Sequence, residues 1–417
     1  MDELWRSLPS LGPLFKLLGP LVDTDHGLDL RPECILTERS WDLFRSYATR
    51  VRSLTYADAY SGEGISTGLI IRALAVHPGG ILPNLQAVDW HIGEPGLGLA
   101  LAFCPPSLER MVIYLGDDEF QTDSARRLLY SLSSSLAHRL KSFEFGTDSS
   151  PFINADLDPA LNTFLNSQSR LLELNLPYYG IQDSVTVSVV CQASPDLHTF
   201  TADVPSVTKE MFREILDELA GRATSLRRVW LTRTGDGLED ETTTLVDIKP
   251  MLQLTVIEDI RLWLEGELEL TALDIRHMGQ AWQGLASLIL HPGGGPGIPL
   301  LHLTTFAQWF PGLERFAAPF DCTGYIPSAD EVPSRFQSLC RLTWYRGQVA
   351  DAQRLRVAEF LAVVLRPKVE LRLRMYGLDS YEALMEMSPW EAGSRNKELQ
   401  DLIDAFYRVR KAVNMMQ

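Results

Sequence analysis

Pro83-Asn84-Leu85-Gln86-Ala87-Val88-Asp89-Trp90 decides the fold: a proline, then apolar residues at the first, fourth and sixth places of a phrase that starts at Leu85. The same phrase starts again at Val51, Leu108, Leu140, Leu171, Leu197, Leu226, Ile257, Leu285, Leu313 and Leu339. Val51 and Leu339 stand 288 residues apart over ten intervals, a mean period close to 29. Places four and six of an extended segment fall on one face, and place one turns in beside them. A strip of three apolar residues cannot bury itself, so each phrase has to share its core with the phrases before and after it.

A fixed period in this range headed by L-x-x-L-x-L is the leucine-rich-repeat signature. The fold expected is therefore α/β: an irregular horseshoe-shaped solenoid with parallel strands on the inner face, helices on the outer face and helical caps at the ends. We divide the chain into an N-terminal cap and connector over 1–48, the repeat array over 49–376 and a C-terminal helical cap over 377–417. The ninth place, where such repeats commonly carry Asn or Cys, holds Gly93, Gly116, Gly293 and Gly347, with Asp148 and Asp321 in two more repeats. Glycine is expected to make that turn through its permissive dihedrals.

The returns between phrases read in part as helices. Ala125, Leu128, Leu129, Leu132 and Leu136 make one apolar stripe; Leu157, Leu161, Phe164 and Leu165 make another, with Asp158 as expected N-cap and Pro159 at the first helical position. Pro205-Ser206 is expected to open a third, carrying Phe212, Ile215, Leu216 and Leu219 and stopping at Gly221. Asp183 to Ala193, rich in valine, is compatible with an extended segment as well as a helix. Pro83, Pro106, Pro195 and Pro311 stand two residues before an anchor, where proline ends an incoming helix without costing the strand a hydrogen bond. Ahead of the array, Trp41, Phe44 and Tyr47 recur at helical spacing, and Leu21 to Glu38 reads as a polar connector. Behind it, Val357, Phe360, Leu361 and Val364 make a last return helix, Val369, Leu371 and Leu373 a last strand, and Leu399, Leu402, Ile403, Phe406 and Val409 one face of a covering helix.

Of the 417 residues 45% are apolar and 22% charged, the balance of a folded chain. A formal charge of −16, from 54 acidic and 38 basic residues, repels phosphate backbones and anionic membrane surfaces, so nucleic acid and membrane are not expected partners. Cys34, Cys104, Cys191, Cys322 and Cys340 are widely spaced and odd in number, which reads as free thiols in a reducing compartment, cytoplasmic or nuclear. The start, Met1-Asp2-Glu3, lacks the basic-then-apolar pattern of a signal peptide, and no apolar run reaches the ~18 residues of a membrane span.

Catalytic chemistry is weakly represented. Gly64-Ile65-Ser66-Thr67-Gly68 fits the G-x-S-x-G elbow of serine hydrolases, but Ala57-Asp58-Ala59-Tyr60-Ser61 before it is not a core strand, and a surface loop is the expected reading. Gly293-Gly294-Gly295-Pro296-Gly297 lacks the Lys-Ser or Lys-Thr of a phosphate loop and reads as a flexible turn. The eight histidines, among them His77, His91, His198 and His291, show no metal-ligand spacing. The expectation is a protein that is not an enzyme and carries no cofactor or metal.

Binding is the better-supported role. Places two, three, five and seven point away from the core, and they carry Arg110, Tyr114, Arg228, Trp230, Trp263, Arg315, Arg341 and Tyr345. Tryptophan, tyrosine and arginine dominate interface hot spots, so these eight are the candidate residues for a protein target on the inner face; the bland account is that neighbouring segments cover them. The acidic run Asp236, Glu239, Asp240 and Glu241 reads as a solvated turn beside the Trp230 strand.

Asp2-Glu3-Leu4-Trp5-Arg6-Ser7-Leu8, Leu14-Phe15-Lys16-Leu17-Leu18, and Trp41-Asp42-Leu43-Phe44-Arg45-Ser46-Tyr47-Ala48 with Arg50-Val51-Arg52-Ser53-Leu54 resemble fungal F-box proteins with leucine-rich-repeat tails. The resemblance implies the substrate-recognition arm of a cullin-RING ubiquitin ligase of the SCF type, with a Skp adaptor on the F-box and a protein target on the repeats. It begins near the last F-box helix, so the helices that precede it in the family are not expected within residues 1–417. The alternative expectation is a repeat scaffold unconnected to ubiquitination, and a remoter one is the Ser66 hydrolase.

Overall fold

The computed structural model describes residues 2–25, 27–57, 64–76, 80–92, 100–115, 121–147, 156–235, 238, 241–345, 349, 352–366, 369–374 and 403. The chain divides into two compact units, Met1–Asp203 and Val204–Gln417. Both are α/β, with parallel strands joined by helical returns.

In the N-terminal unit the elements run β1 (Ser7–Leu8), α1 (Gly12–Phe15), β2 (Leu21–Thr24), β3 (Gly27–Leu30), α2 (Glu38–Ala48), β4 (Ser53–Ala57), α3 (Thr67–Val76), β5 (Ala87–Ile92), β6 (Arg110–Leu115), α4 (Gln121–Ser135), β7 (Ser142–Thr147), α5 (Asp158–Asn166), β8 (Glu173–Gly180), α6 (Ser184–Ala193) and β9 (Thr199–Asp203). Strands β1, β4, β5, β6, β7, β8 and β9 lie side by side in that order, all parallel. Their register puts the fourth places opposite one another, from Leu54 through Val88, Met111, Phe143 and Leu174 to Phe200. All of these are buried, as are the first and sixth places of the same phrases.

The C-terminal unit repeats the arrangement: α7 (Lys209–Arg222), β10 (Arg228–Arg233), β11 (Thr242–Thr244), α8 (Leu245–Ile248), β12 (Asp259–Leu264), β13 (Glu267–Glu269), α9 (Ala272–Ala281), β14 (Ser287–Pro292), β15 (Ile298–Pro299), α10 (His302–Trp309), β16 (Arg315–Asp321), β17 (Arg341–Tyr345), α11 (Arg354–Val364) and β18 (Glu370–Arg374). Here the row of fourth places runs Val229, Ile260, Leu288, Phe316 and Leu342, and Leu371 of β18 extends it. Trp282 and Trp344 fill large core positions and satisfy their indole N–H groups on the carbonyls of Met251 and Phe320, each at 3.0 Å. Strands β11 and β13 make a separate parallel pair.

One backbone device recurs through both units. The place-two carbonyl accepts the N–H groups of places two and three of the next strand: Gln86 O from Glu109 and Arg110, Glu258 O from Ala286 and Ser287. Arg6 O accepts from Arg52 and Ser53 in the same way, and Leu8 pairs with Leu54. The first strand thus stands at Ser7–Leu8, inside the stretch expected to be only cap. Between it and α2 the expected connector contains the antiparallel pair β2 and β3.

One open reading is settled and three local expectations need correction. Asp183 to Ala193 is helical: Asp183 caps α6 by accepting from Val185 N at 2.9 Å, and Thr186, Val187, Val190 and Cys191 share its buried side, so packing overrides the strand preference of valine. Asp158 is not an N-cap; Leu157 holds that place, and the Asp158 carboxylate accepts from the Tyr179 hydroxyl. Helix α7 starts at Lys209 with Thr208 as cap, because Ser206, at φ 56°, turns the chain before the helix begins. At the ninth place, Asp321 accepts from the N–H and hydroxyl of Thr323. Gly293 is needed for proximity and not for positive φ: a Cβ there would lie 3.0 Å from Glu265 Cα. Gly93, Gly116, Asp148 and Gly347 lie outside the described residues. So does the expected C-terminal covering helix except for Ile403, which is helical and buried. Among the described residues no helix is long and apolar enough to cross a membrane.

Candidate functional site

Alternation along each strand turns places three, five and seven to the sheet face opposite the core, and the register aligns them into rows. In the C-terminal unit, place five runs Trp230, Arg261, Ile289, Ala317, Thr343 and Arg372. Place seven puts Thr232, Trp263 and His291 opposite one another, then Pro319 opposite Tyr345. Place three runs Arg228, Asp259, Ser287, Arg315, Arg341 and Glu370.

These rows make a continuous aromatic and cationic band. The Arg261 guanidinium lies 3.8 Å from the centre of the Trp230 ring, close enough for a cation–π contact. Trp263 packs on His291 at 4.2 Å between ring centres, and His291 meets Tyr345 edge-on at 4.5 Å. Asp259, with 8% of its side chain exposed, receives Arg261 at 3.2 Å and Arg315 at 3.4 Å. The Trp230 indole N–H is buried without a hydrogen-bond partner among the described residues.

The structure thus gathers Trp230, Trp263, Arg315 and Tyr345 into one band. Arg228 stands exposed at its edge, and Arg341 is held by Glu370 at 2.8 Å on the next strand. Burial would raise the Glu370 carboxyl, but hydrogen bonds from Arg341 and Arg372 outweigh it and hold the carboxyl below its ordinary value. Tyr345, expected to face solvent, is buried on the same sheet face with Ile289 and Ala317. Trp230 and Trp263 are half-buried. Arg110 and Tyr114 belong to the N-terminal unit, whose corresponding face is polar. Arg110 lies 3.6 Å from Asp89, while Tyr114 stacks on His91 at 4.9 Å and donates to Glu144.

Arg261, His291 and Asp259 were not among the eight candidates although they join the others together. Arg261 and His291 occupy places five and seven, the signal that could have found them; the buried carboxylate of Asp259 needed the register of its neighbours. The acidic loop also reads differently in part: Glu241 accepts from the buried Arg233 at 2.9 Å, and Arg233 also donates to the Val207 carbonyl. Asp236, Glu239 and Asp240 lie outside the described residues.

Ser66 is a buried helix cap, not part of a surface loop. Its hydroxyl donates to Asp29 at 2.8 Å and accepts the Leu69 N–H at 3.2 Å, at the start of α3. The Asp29 carboxylate is also paired with Arg72. The glycine-rich turn after β14 is packed: Gly293 N bonds Leu264 O, Gly294 N bonds Gly266 O, and Gly295 at φ 77° sits against Glu267. Among the described residues no group of three His, Cys, Asp or Glu side chains is placed to hold a metal.

A scan against protein-family models gave no match, and a search of curated proteins found no similar sequence.

Proposed function

We propose that this chain is a leucine-rich-repeat solenoid, an irregular horseshoe with strands inside and helices outside, that performs no catalysis and binds a protein on its strand face. The observation that carries the reading is the band Trp230, Arg261, Trp263, His291 and Tyr345 on the sheet face away from the core, where Arg261 stacks on Trp230 and His291 packs between Trp263 and Tyr345. Residues of these types concentrate interface free energy because they bury much surface at low conformational cost.

Within that reading, the chain serves as the substrate-recognition arm of an SCF-type ubiquitin ligase in the cytoplasm or nucleus. The resemblance of Trp5 to Leu8 and Trp41 to Leu54 to F-box proteins supports this role. A second reading, a scaffold unconnected to ubiquitination, is supported by the use made of the same segment. Ser7 and Leu8 pair with Ser53 and Leu54, and Trp5 packs on Tyr47 at 4.4 Å, so these residues are committed to the fold. Incubating the purified chain with a purified Skp adaptor separates the two. Co-elution on size exclusion supports the ligase arm, and separate elution at micromolar concentrations supports the scaffold.

A further inference from the structure

We propose that the strand face of the C-terminal unit receives an extended, acidic segment of its partner, with one carboxylate side chain seated on Arg228 and Arg315 and an apolar side chain on Trp230 and Trp263. The inference rests on the protein-binding reading and specifies the chemistry of the partner.

Charge carries the first step. A chain of net charge −16 places three arginines, Arg228, Arg261 and Arg315, around a single carboxylate, Asp259, on this face. Arg261 is spent: it makes two N–H contacts to Asp259, at 3.4 and 3.2 Å, and stacks on Trp230, with 13% of its side chain exposed. Arg315 gives Asp259 one N–H at 3.4 Å and is 43% exposed, so most of its donors remain available. Arg228, directly opposite Asp259 in register, is exposed and has no ion pair among the described residues. The nearby acids do not cancel this excess. Glu258 is held by Arg227 at 3.0 Å, and Glu314, although exposed beside Arg315, makes no ion pair with it.

Polar satisfaction carries the second step. Ser287 lies between Asp259 and Arg315 in the place-three row, fully buried, and its hydroxyl has no hydrogen-bond partner among the described residues. The Trp230 N–H is in the same condition. Buried donors without acceptors are uncommon in folded proteins, and Ser287 stands in the same row as the two arginines proposed to seat the carboxylate. The site already seats one carboxylate between Arg261 and Arg315, which is why a carboxylate is the anion chosen. Successive rows are two strand residues apart, about 6.6 Å, which is the spacing of alternate side chains in an extended segment lying along the strands, so its carboxylate and apolar side chains meet successive rows while the others face outward.

An array of 12-residue peptides graded in Asp/Glu, Lys/Arg and aromatic content, with phosphoserine versions of the acidic set, probed with the purified full chain, tests this. Acidic peptides carrying a large apolar residue are expected to bind, and affinity for a fluorescein-labelled member is expected to fall about tenfold or more on Arg228→Glu, the usual scale for losing a charged interfacial contact. Trp230→Ala and Arg315→Gln are expected to weaken the same peptide, and raising salt to slow its association. Circular dichroism confirms that each variant folds, and Arg228→Glu, at an exposed residue with no ion pair among the described residues, serves if Arg315→Gln does not. Binding of neutral or basic peptides in preference, or only of phosphopeptides, would overturn the carboxylate choice and leave protein binding standing. Binding of the acidic peptide unchanged in Arg228→Glu, or of no peptide at all by a folded chain, would overturn the inference; the adaptor experiment judges the ligase reading separately.

Discussion

The Tyr179 hydroxyl donates a hydrogen bond of 2.5 Å to Oδ1 of Asp158, tying strand β8 to the first turn of helix α5. Burial pushes the Asp158 carboxyl above its ordinary value; the Tyr179 bond pulls it down by less, and the charge of Asp183 adds to the rise. A carboxyl raised in the folded state binds protons more tightly there than in the unfolded chain. Its contribution is therefore most favourable below the ordinary value of 3.8 and is lost as pH rises through the raised one. Asp158→Asn keeps an acceptor for Tyr179 and removes the charge. Denaturant unfolding at a series of pH values is expected to show the variant gaining on the wild type as pH climbs out of the carboxylate range. A difference independent of pH would show that Asp158 titrates as it does in the unfolded chain.

Ser66 separates a structural role from a catalytic one. Removing its hydroxyl takes the cap from Leu69 N and leaves Asp29 with one donor fewer, so Ser66→Ala is expected to cost about 0.5–2 kcal/mol in urea unfolding, the range for a lost N-cap. Ser66→Thr, which keeps a hydroxyl, should recover part of it. Hydrolysis of p-nitrophenyl acetate is expected to be the same for wild type and Ser66→Ala. A wild-type rate abolished by the substitution would restore the hydrolase reading.

The rows of the sheet were legible because each needs only a strand's alternation. Leu108, Leu226 and Leu339 each stand two residues ahead of a strand, β6, β10 and β17, and every first, fourth and sixth place is buried. What escaped depends on chain neighbours distant in sequence. Ser7–Leu8 is too short to show alternation and is recognised by its pairing with Ser53–Leu54. The valines of α6 favour a strand until Thr186, Val187, Val190 and Cys191 bury one side of a helix against the rest of the fold. At the candidate site, Trp230, Trp263 and Arg315 follow from position alone, whereas the burial of Tyr345 on that face depends on Ile289 and Ala317 of two other strands, and the role of Asp259 requires arginines on two strands.

Two helical glycines are expected to respond with opposite signs. At Gly221, near the end of α7, an added Cβ meets nothing within 4 Å. Gly221→Ala should therefore stabilise by about 0.5–1 kcal/mol, the helix-propensity gain with nothing to oppose it. At Gly279 in α9 the added Cβ would lie 2.5 Å from Trp309 Cβ and 2.8 Å from the Trp309 carbonyl oxygen, at the end of the neighbouring α10. Backbone cannot swing aside as a side-chain end can, so overpacking of about 1–3 kcal/mol exceeds the propensity gain and Gly279→Ala should destabilise. Thermal melts of both variants check the pair; a stabilising Gly279→Ala would mean that α9 and α10 can separate freely at this point.

The five thiols differ enough in environment to report on the fold residue by residue. Cys340 is exposed at the start of β17, whereas Cys191 and Cys322 are buried and Cys34 and Cys104 half-buried. Burial pushes the Cys104 thiol up to about 12, and burial with the charge of Asp321 does the same to Cys322. The thiolate is the species that attacks a disulfide reagent, so at pH 8 these two are almost entirely unreactive while the native state persists. Titration with Ellman's reagent is expected to show a fast phase that Cys340→Ser removes, and the Cys104 and Cys322 thiols are expected to react only when guanidinium unfolds the chain. Mass mapping of the labelled cysteines at early times identifies the order. Early labelling of Cys322 would place it at an accessible surface and contradict the packing of the turn that follows β16.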